Sequence, residues 1–253
     1  MSANESEKAS KAMKVIRGKT PQARRVLLYG VHGVGKSTWA AQAPEVLFLD
    51  FEDGLSDIDC AKSEHLHELP ELMAALRWLA TEEHGFQTIA IDSADWLERA
   101  IHRDVAIGRN AESIADIPYG NGYKQALKQW DDVLNALEWL RANKRMMVIL
   151  LAHSQVIRFD DPQGDGYDRY QPALHKYAAA RLQEWCDEVF FASYRTFTKK
   201  EDQGFGKTRT VAVGDSERYI RTSETAAVQA KNRLSLPHEL DMNFQTYANH
   251  FTN

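Results

Sequence analysis

The chain has 253 residues, 43% of them hydrophobic, which suits one large α/β domain, or two small ones, with a full core. A formal net charge of −5 argues against a protein that coats nucleic acid through bulk positive charge, though not against a local basic groove. No apolar run approaches the ~20 residues of a membrane span, no signal peptide is visible, and Cys60 and Cys186 offer no disulfide framework, so the expectation is a cytoplasmic location and no membrane partner.

Residues 1–20 are polar and nearly free of large apolar groups, and they read as a flexible tail; residues 21–253 read as one core domain. The apolar segment Arg25 to Tyr29 has strand length. It runs into Gly30-Val31-His32-Gly33-Val34-Gly35-Lys36-Ser37-Thr38, which fits G-x-x-x-x-G-K-[ST], and a helix is expected from Ser37 to Gln42. Strand, glycine bend and helix is the arrangement that turns successive backbone N–H groups towards an anion. All nine residues of the bend are candidate nucleotide contacts. Lys36 is assigned to the β/γ-phosphates, and Ser37 to Mg²⁺.

Val46 to Phe51 reads as a buried strand ending in the acidic turn Glu52-Asp53-Gly54. Glu52 is aimed at the phosphates if this strand lies beside the first one, where it could orient an attacking water; a solvated loop is the equal alternative. Cys60-x4-His65-x-His67 lacks a trustworthy metal-ligand spacing and reads as a surface loop. Leu69, Leu72, Met73, Leu76 and Leu79 recur at helical steps, and Gly85 ends the helix. Gln87 to Ser93 is an apolar strand closing in Asp92, of Walker B form, so Asp92 is a second Mg²⁺ candidate; capping of the helix Ala94 to Ala106 is the competing role.

Residues 107–123 break the periodicity and read as a long loop holding Arg109, Tyr119 and Tyr123, residues suited to phosphate pairing and base stacking. A helix follows with Leu127, Trp130, Leu134 and Leu137 on one side. Met146 to Ala152 is a buried strand that delivers His153, Ser154 and Gln155; His153 also fits a hydrogen-bonded strand-end histidine. Residues 156–172 read as a second long loop, with Arg158 and Arg169 interleaved with aromatics. A helix from Ala173 to Trp185, a strand from Glu188 to Tyr194 and later strands near 210–214 and 218–233 complete the chain, as a hairpin extension of the sheet. Between Arg195 and Arg233 stand nine basic and five acidic residues.

The order of these elements resembles the RecA-like recombinase core across residues 24–240. FLDFEDGLSDI resembles the strand that delivers the catalytic glutamate in that family, and TIAIDSADWL its Walker B strand. LLAHSQVIRFDDP, EWCDEVFF and AKNRLSLP resemble the phage-encoded RecA-like P-loop ATPases that act as single-strand annealing proteins. The resemblance implies an α/β fold with a mostly parallel central sheet flanked by helices and a C-terminal antiparallel hairpin. It further implies ATP and Mg²⁺ as cofactors, Glu52, Lys36 and Gln155 as catalytic residues, and Ser37 with Asp92 at the metal. Gln155 would couple the γ-phosphate to the second loop, and the two loops would bind single-stranded DNA through Arg109, Tyr119, Tyr123, Arg158 and Arg169. The implied partners are single-stranded DNA, further copies of the chain and a single-stranded DNA-binding protein, in a host cytoplasm. The implied activity is DNA-stimulated ATP hydrolysis in annealing or recombination; a nucleotide-gated adaptor that binds a replication protein is the alternative. Lys231, Arg233 and Arg221 are the candidates for the cation that bridges subunits.

Overall fold

The structure is a computed structural model that describes residues 15–18, 20–161, 164–202 and 208–251. Of the expected tail, residues 1–14 and 19 lie outside the described residues. Four apolar residues in succession, Val26 to Tyr29, cannot alternate between core and water. Accordingly β1 (Arg25–Gly30) runs through the middle of the sheet with all four fully buried. It pairs in parallel with β5 (Met147–Phe159) on one side and β7 (Glu188–Asp202) on the other.

Beyond β5 lie β4 (Thr88–Asp92), β2 (Val46–Asp50) and the short β3 (Ala61–Lys62), all parallel to it. Beyond β7 lie β8 (Thr208–Arg221), antiparallel to it, and β9 (Glu239–Asp241), antiparallel in turn to β8. The fold is therefore α/β, with a mostly parallel central sheet and antiparallel strands at its C-terminal edge, as expected. The parallel register sets Gly30 opposite His153, and Asp50 opposite Asp92. The carboxyl ends of these strands thus open onto one crevice, where ligands of open α/β sheets bind.

Side chains alternate across the sheet. Leu27 and Tyr29 enter a layer covered by α2 (Leu69–Thr81), α3 (Ala94–Gly108), α4 (Asn121–Lys144) and α5 (Lys176–Trp185), with Trp130 fully buried in it. Val26 and Leu28 enter the other layer, closed by α1 (Lys36–Ala40) and α6 (Phe244–Ala248) through Trp39, Phe244 and Tyr247. The start of α2 follows from a capping box between Glu68 and Glu71, with proline in its first turn. Gly30 ends β1 because nothing larger fits: a Cβ there would lie 2.2 Å from the Ala192 carbonyl oxygen.

Several expectations are corrected. Much of 156–172 is strand and not loop: β5 continues to Phe159 and pairs antiparallel with β6 (Tyr167–Pro172) as a two-stranded ribbon. The segment 107–123 is also shorter than expected. α3 reaches Gly108, two 3-10 turns occupy Ile114–Asp116 and Pro118–Gly120, and Tyr123 already belongs to α4. In α4 the buried face runs through Ala126, Trp130, Val133, Leu134 and Leu137, while Leu127 is only half-buried. α5 starts at Lys176, not Ala173, because His175 caps it by accepting from the Tyr177 N–H. β7 and β8 are each continuous and far longer than the separate short strands read from sequence; after Arg221 the chain is irregular up to β9.

Candidate active site

The bend after β1 takes a shape that only glycine adopts freely, with φ of +72° at Gly33 and +95° at Gly35. Two side chains of the β7–β8 hairpin hold its outer rim. Tyr194 Oη donates to the Gly33 carbonyl (2.8 Å), and Arg218 Nη1 to that of Val34 (3.4 Å). Tyr194 and Arg218 are cross-strand partners. Nothing in the local sequence marks Arg218 as a neighbour of the bend, and it was not among the expected site residues. Inside the bend the Lys36 ammonium donates to the carbonyls of Gly30 (3.3 Å) and Val31 (3.1 Å). Burial holds Lys36 below the usual lysine range, against the pull of Glu52, Asp92 and Asp95.

Ser37 and Asp92 come together as expected: Ser37 Oγ donates to Asp92 Oδ2 at 2.6 Å. Burial pushes the Asp92 carboxyl up to about 6, the Ser37 hydrogen bond opposes this, and the neighbouring Glu52 adds to it. A hydroxyl and a buried carboxylate short of compensating positive charge form the hard-oxygen donor set that Mg²⁺ prefers, so these residues fit the ion.

Glu52 does not arrive as the sequence suggested. β2 is not a neighbour of β1, because β4 and β5 lie between them. The turn after β2 instead crosses the ends of those strands, with the backbone N–H groups of Phe51 (2.7 Å) and Glu52 (3.2 Å) on the Asp92 carbonyl. Asp50 Oδ1 shapes this turn by accepting from the N–H groups of Glu52 (3.1 Å) and Asp53 (2.9 Å). The Glu52 carboxylate then stands 3.4 Å from His153 Nε2. Asp50 and Asp53 also approach His65, with ligand-capable atoms within 4.8 Å of one another, but Cys60 and His67 take no part.

Gln155 is turned to a different task. Its Nε2 donates to the carbonyls of Pro172 and Leu174, both at 3.1 Å, tying the ribbon to the lead-in of α5. His153, not Gln155, is the β5 residue beside Glu52 and the bend, and its ring stacks on His32 at 3.9 Å.

The five residues proposed for DNA divide. Tyr119 is 93% exposed at a left-handed backbone position, Arg109 is exposed and donates to Gln125, and the Arg158 side chain is 60% exposed beside Asp168. By contrast, Tyr123 stacks on His175 (4.1 Å, 7°). Arg169 pairs with Glu224 and lies over the Phe159 ring, with its side chain 11% exposed. The three bridging-cation candidates all have partners within the chain. Lys231 caps α5 through the carbonyls of Gln183, Glu184 and Cys186, Arg221 pairs with Glu239, and Arg233 with Asp187. Arg233 keeps the most exposed side chain of the two arginines.

Comparison with known proteins gives three findings. A protein-family model described as an AAA domain matches residues 22–234. A search of curated proteins finds no match. Among solved structures, the crystal structure of the RadB recombinase is similar, with 13% identity and a TM-score of 0.45, covering 85% of this chain and 93% of that one. A likeness that shallow bears on nothing further.

Proposed function

The chain belongs to the AAA-domain family, a P-loop ATPase fold, and on that premise we propose that it hydrolyses ATP to ADP and phosphate in step with binding single-stranded DNA, promoting annealing or recombination. The observation that carries the proposal is the convergence of Lys36, Ser37, Asp92 and Glu52 on one glycine bend. Lys36 binds the β/γ-phosphates, Ser37 and Asp92 would hold Mg²⁺, and the backbone of the bend orients the triphosphate. Mg²⁺, when bound, neutralises phosphate charge. Glu52 accepts a proton from the water that attacks the γ-phosphorus, and ADP leaves with the bond to the β-phosphate oxygen broken. Tyr119, Arg109 and Arg158 supply one stacking ring and two cations on the exposed surface for a single strand. Assembly with further copies, the neighbour reaching in with Arg233, completes the reading.

The test is the rate of ATP hydrolysis with and without single-stranded DNA. DNA should raise it, and Glu52→Gln should lower it about 10²- to 10⁴-fold while ADP affinity stays within a few-fold. Wild-type turnover in that variant removes Glu52 from the chemistry. A second reading, the nucleotide-gated adaptor, draws support from Tyr123 and Arg169 being committed inside the fold. Binding to single strands through phosphates weakens steeply with salt. No affinity for them at low salt with ATP present selects the adaptor.

A further inference from the structure

His153 is held from four directions by four different parts of the chain. Its backbone N–H donates to Asp95 Oδ1 (3.0 Å), and its ring Nδ1 meets Asp95 Oδ2 (3.0 Å) from the start of α3. One ring face stacks on His32 of the glycine bend, 3.9 Å away and 19° from parallel. The strand beneath it is locked in register with β1, Gly30 opposite His153. The remaining nitrogen, Nε2, faces Glu52 Oε1 at 3.4 Å. Both His153 and Asp95 are buried, at 7% and 6% exposure. Burial pushes the Asp95 carboxyl up, and its hydrogen bonds to His153 more than reverse this, leaving it below the usual range.

An imidazole fixed at Nδ1 and along one face cannot turn, so the direction of Nε2 is set. The Glu52 side chain has the opposite character. It is flexible, it sits on a half-exposed turn, and among the described residues the one side-chain partner of its carboxylate is His153, whose Nε2 donates to it when the ring is protonated and both nitrogens carry hydrogen. A general base must be held within hydrogen-bond reach of its proton, and a displacement of ~1 Å can cost about a hundredfold in rate.

We propose that His153 is a positioning residue for the Glu52 carboxylate, anchored by Asp95 and joined through its stacked face to His32, so that one ring links the nucleotide bend to the aim of the base. This rests on the reading of Glu52 as the base. It also distinguishes His153 from a plain staple between α3 and β5, which would need only the Asp95 contacts.

The experiment compares His153→Asn with His153→Gln. Asparagine keeps a donor near Nδ1 for Asp95 but cannot reach Glu52, whereas the glutamine amide extends to the place of Nε2. The expected result is a kcat for ATP lowered about 10- to 100-fold in His153→Asn, with KM for ATP and affinity for ADP within about threefold of wild type. His153→Gln should recover most of that loss. In a Glu52→Gln background, His153→Asn should lower the residual rate no further, because both changes act on one step. Wild-type kcat in His153→Asn, equal losses in both variants, or a further full loss in the double variant overturns the proposal. Loss of ADP binding in both variants also overturns it, because the role is then structural. A Glu52→Gln variant that is inactive beside a normal His153→Asn sinks only this inference. A fully active Glu52→Gln sinks the reading beneath it.

Discussion

Replacing Glu98 with glutamine should stabilise the protein at alkaline pH and do nothing at acid pH. Glu98 lies one turn beyond Asp95 on α3, 6% exposed, and its Oε2 accepts from the His175 N–H at 2.7 Å. Oε1 is buried, with the Trp130 indole N–H and, at 4.0 Å, His102 Nε2 as its polar neighbours. Burial pushes the carboxyl up from 4.5 to about 7 despite the hydrogen bonds from His175 and Trp130, and the neighbouring Asp95 carboxylate adds to the effect. The folded state therefore binds this proton more tightly than the unfolded state. The stabilising contribution is complete below pH 4.5 and lost as pH rises through 7, a total of about 3 kcal/mol. His102 works in the opposite sense: burial, aided by His175, holds it down to about 4, so its contribution grows as pH rises from there towards 6.5. Both proteins contain His102, so its effect drops out of their difference to first order. Glutamine keeps an oxygen for the His175 N–H and carries no charge to desolvate. Thermal melts across pH 4 to 8 should show the variant melting roughly 5–10 °C higher at pH 8 and level with wild type at pH 4. A variant less stable at pH 8, or an offset that ignores pH, refutes the reasoning.

Three further outcomes are expected. Gly30→Ala drives a Cβ to 2.2 Å from the Ala192 carbonyl oxygen between two central strands; it should cost more than about 3 kcal/mol and show as insoluble expression or a collapsed denaturant midpoint. Asp92→Asn removes a buried charge together with a metal ligand, so Mg²⁺-dependent hydrolysis should vanish while the melting temperature at pH 8 holds or rises. Tyr119→Ala touches no core residue and should leave basal ATP hydrolysis and stability unchanged while weakening single-strand binding by about 1–3 kcal/mol, read by fluorescence anisotropy.

What could be read from the residues alone follows a physical divide. The central strands were legible because a parallel strand covered on both faces must be apolar throughout, as in Val26–Tyr29 and Met147–Ala152. The glycine bend was legible because its backbone needs glycine at positive φ, and the meeting of Ser37 with Asp92 because each stands at the end of an element that meets the same crevice. The β5–β6 ribbon was hidden: it stands outside the main sheet, and its alternation of half-buried and exposed residues involves Arg, Asp and Gln as much as apolar groups. Strand adjacency was not legible either, which is why the aim of Glu52 could be stated only on the condition that its strand neighbours β1; it arrives from three strands away. The choice between His153 and Gln155 turned on where β5 leaves the parallel sheet. Past that point, the carbonyls of Pro172 and Leu174 come within reach of the glutamine.

The paired grip of Tyr194 and Arg218 ties two regions far apart in sequence into one cooperative unit. Because the two side chains stand opposite each other on hydrogen-bonded strands, fraying of that ladder frees the carbonyls of Gly33 and Val34 together. Amide hydrogens at the foot of the hairpin and those of the glycine bend should therefore exchange with solvent at a common rate, and whatever stiffens one will quiet the other.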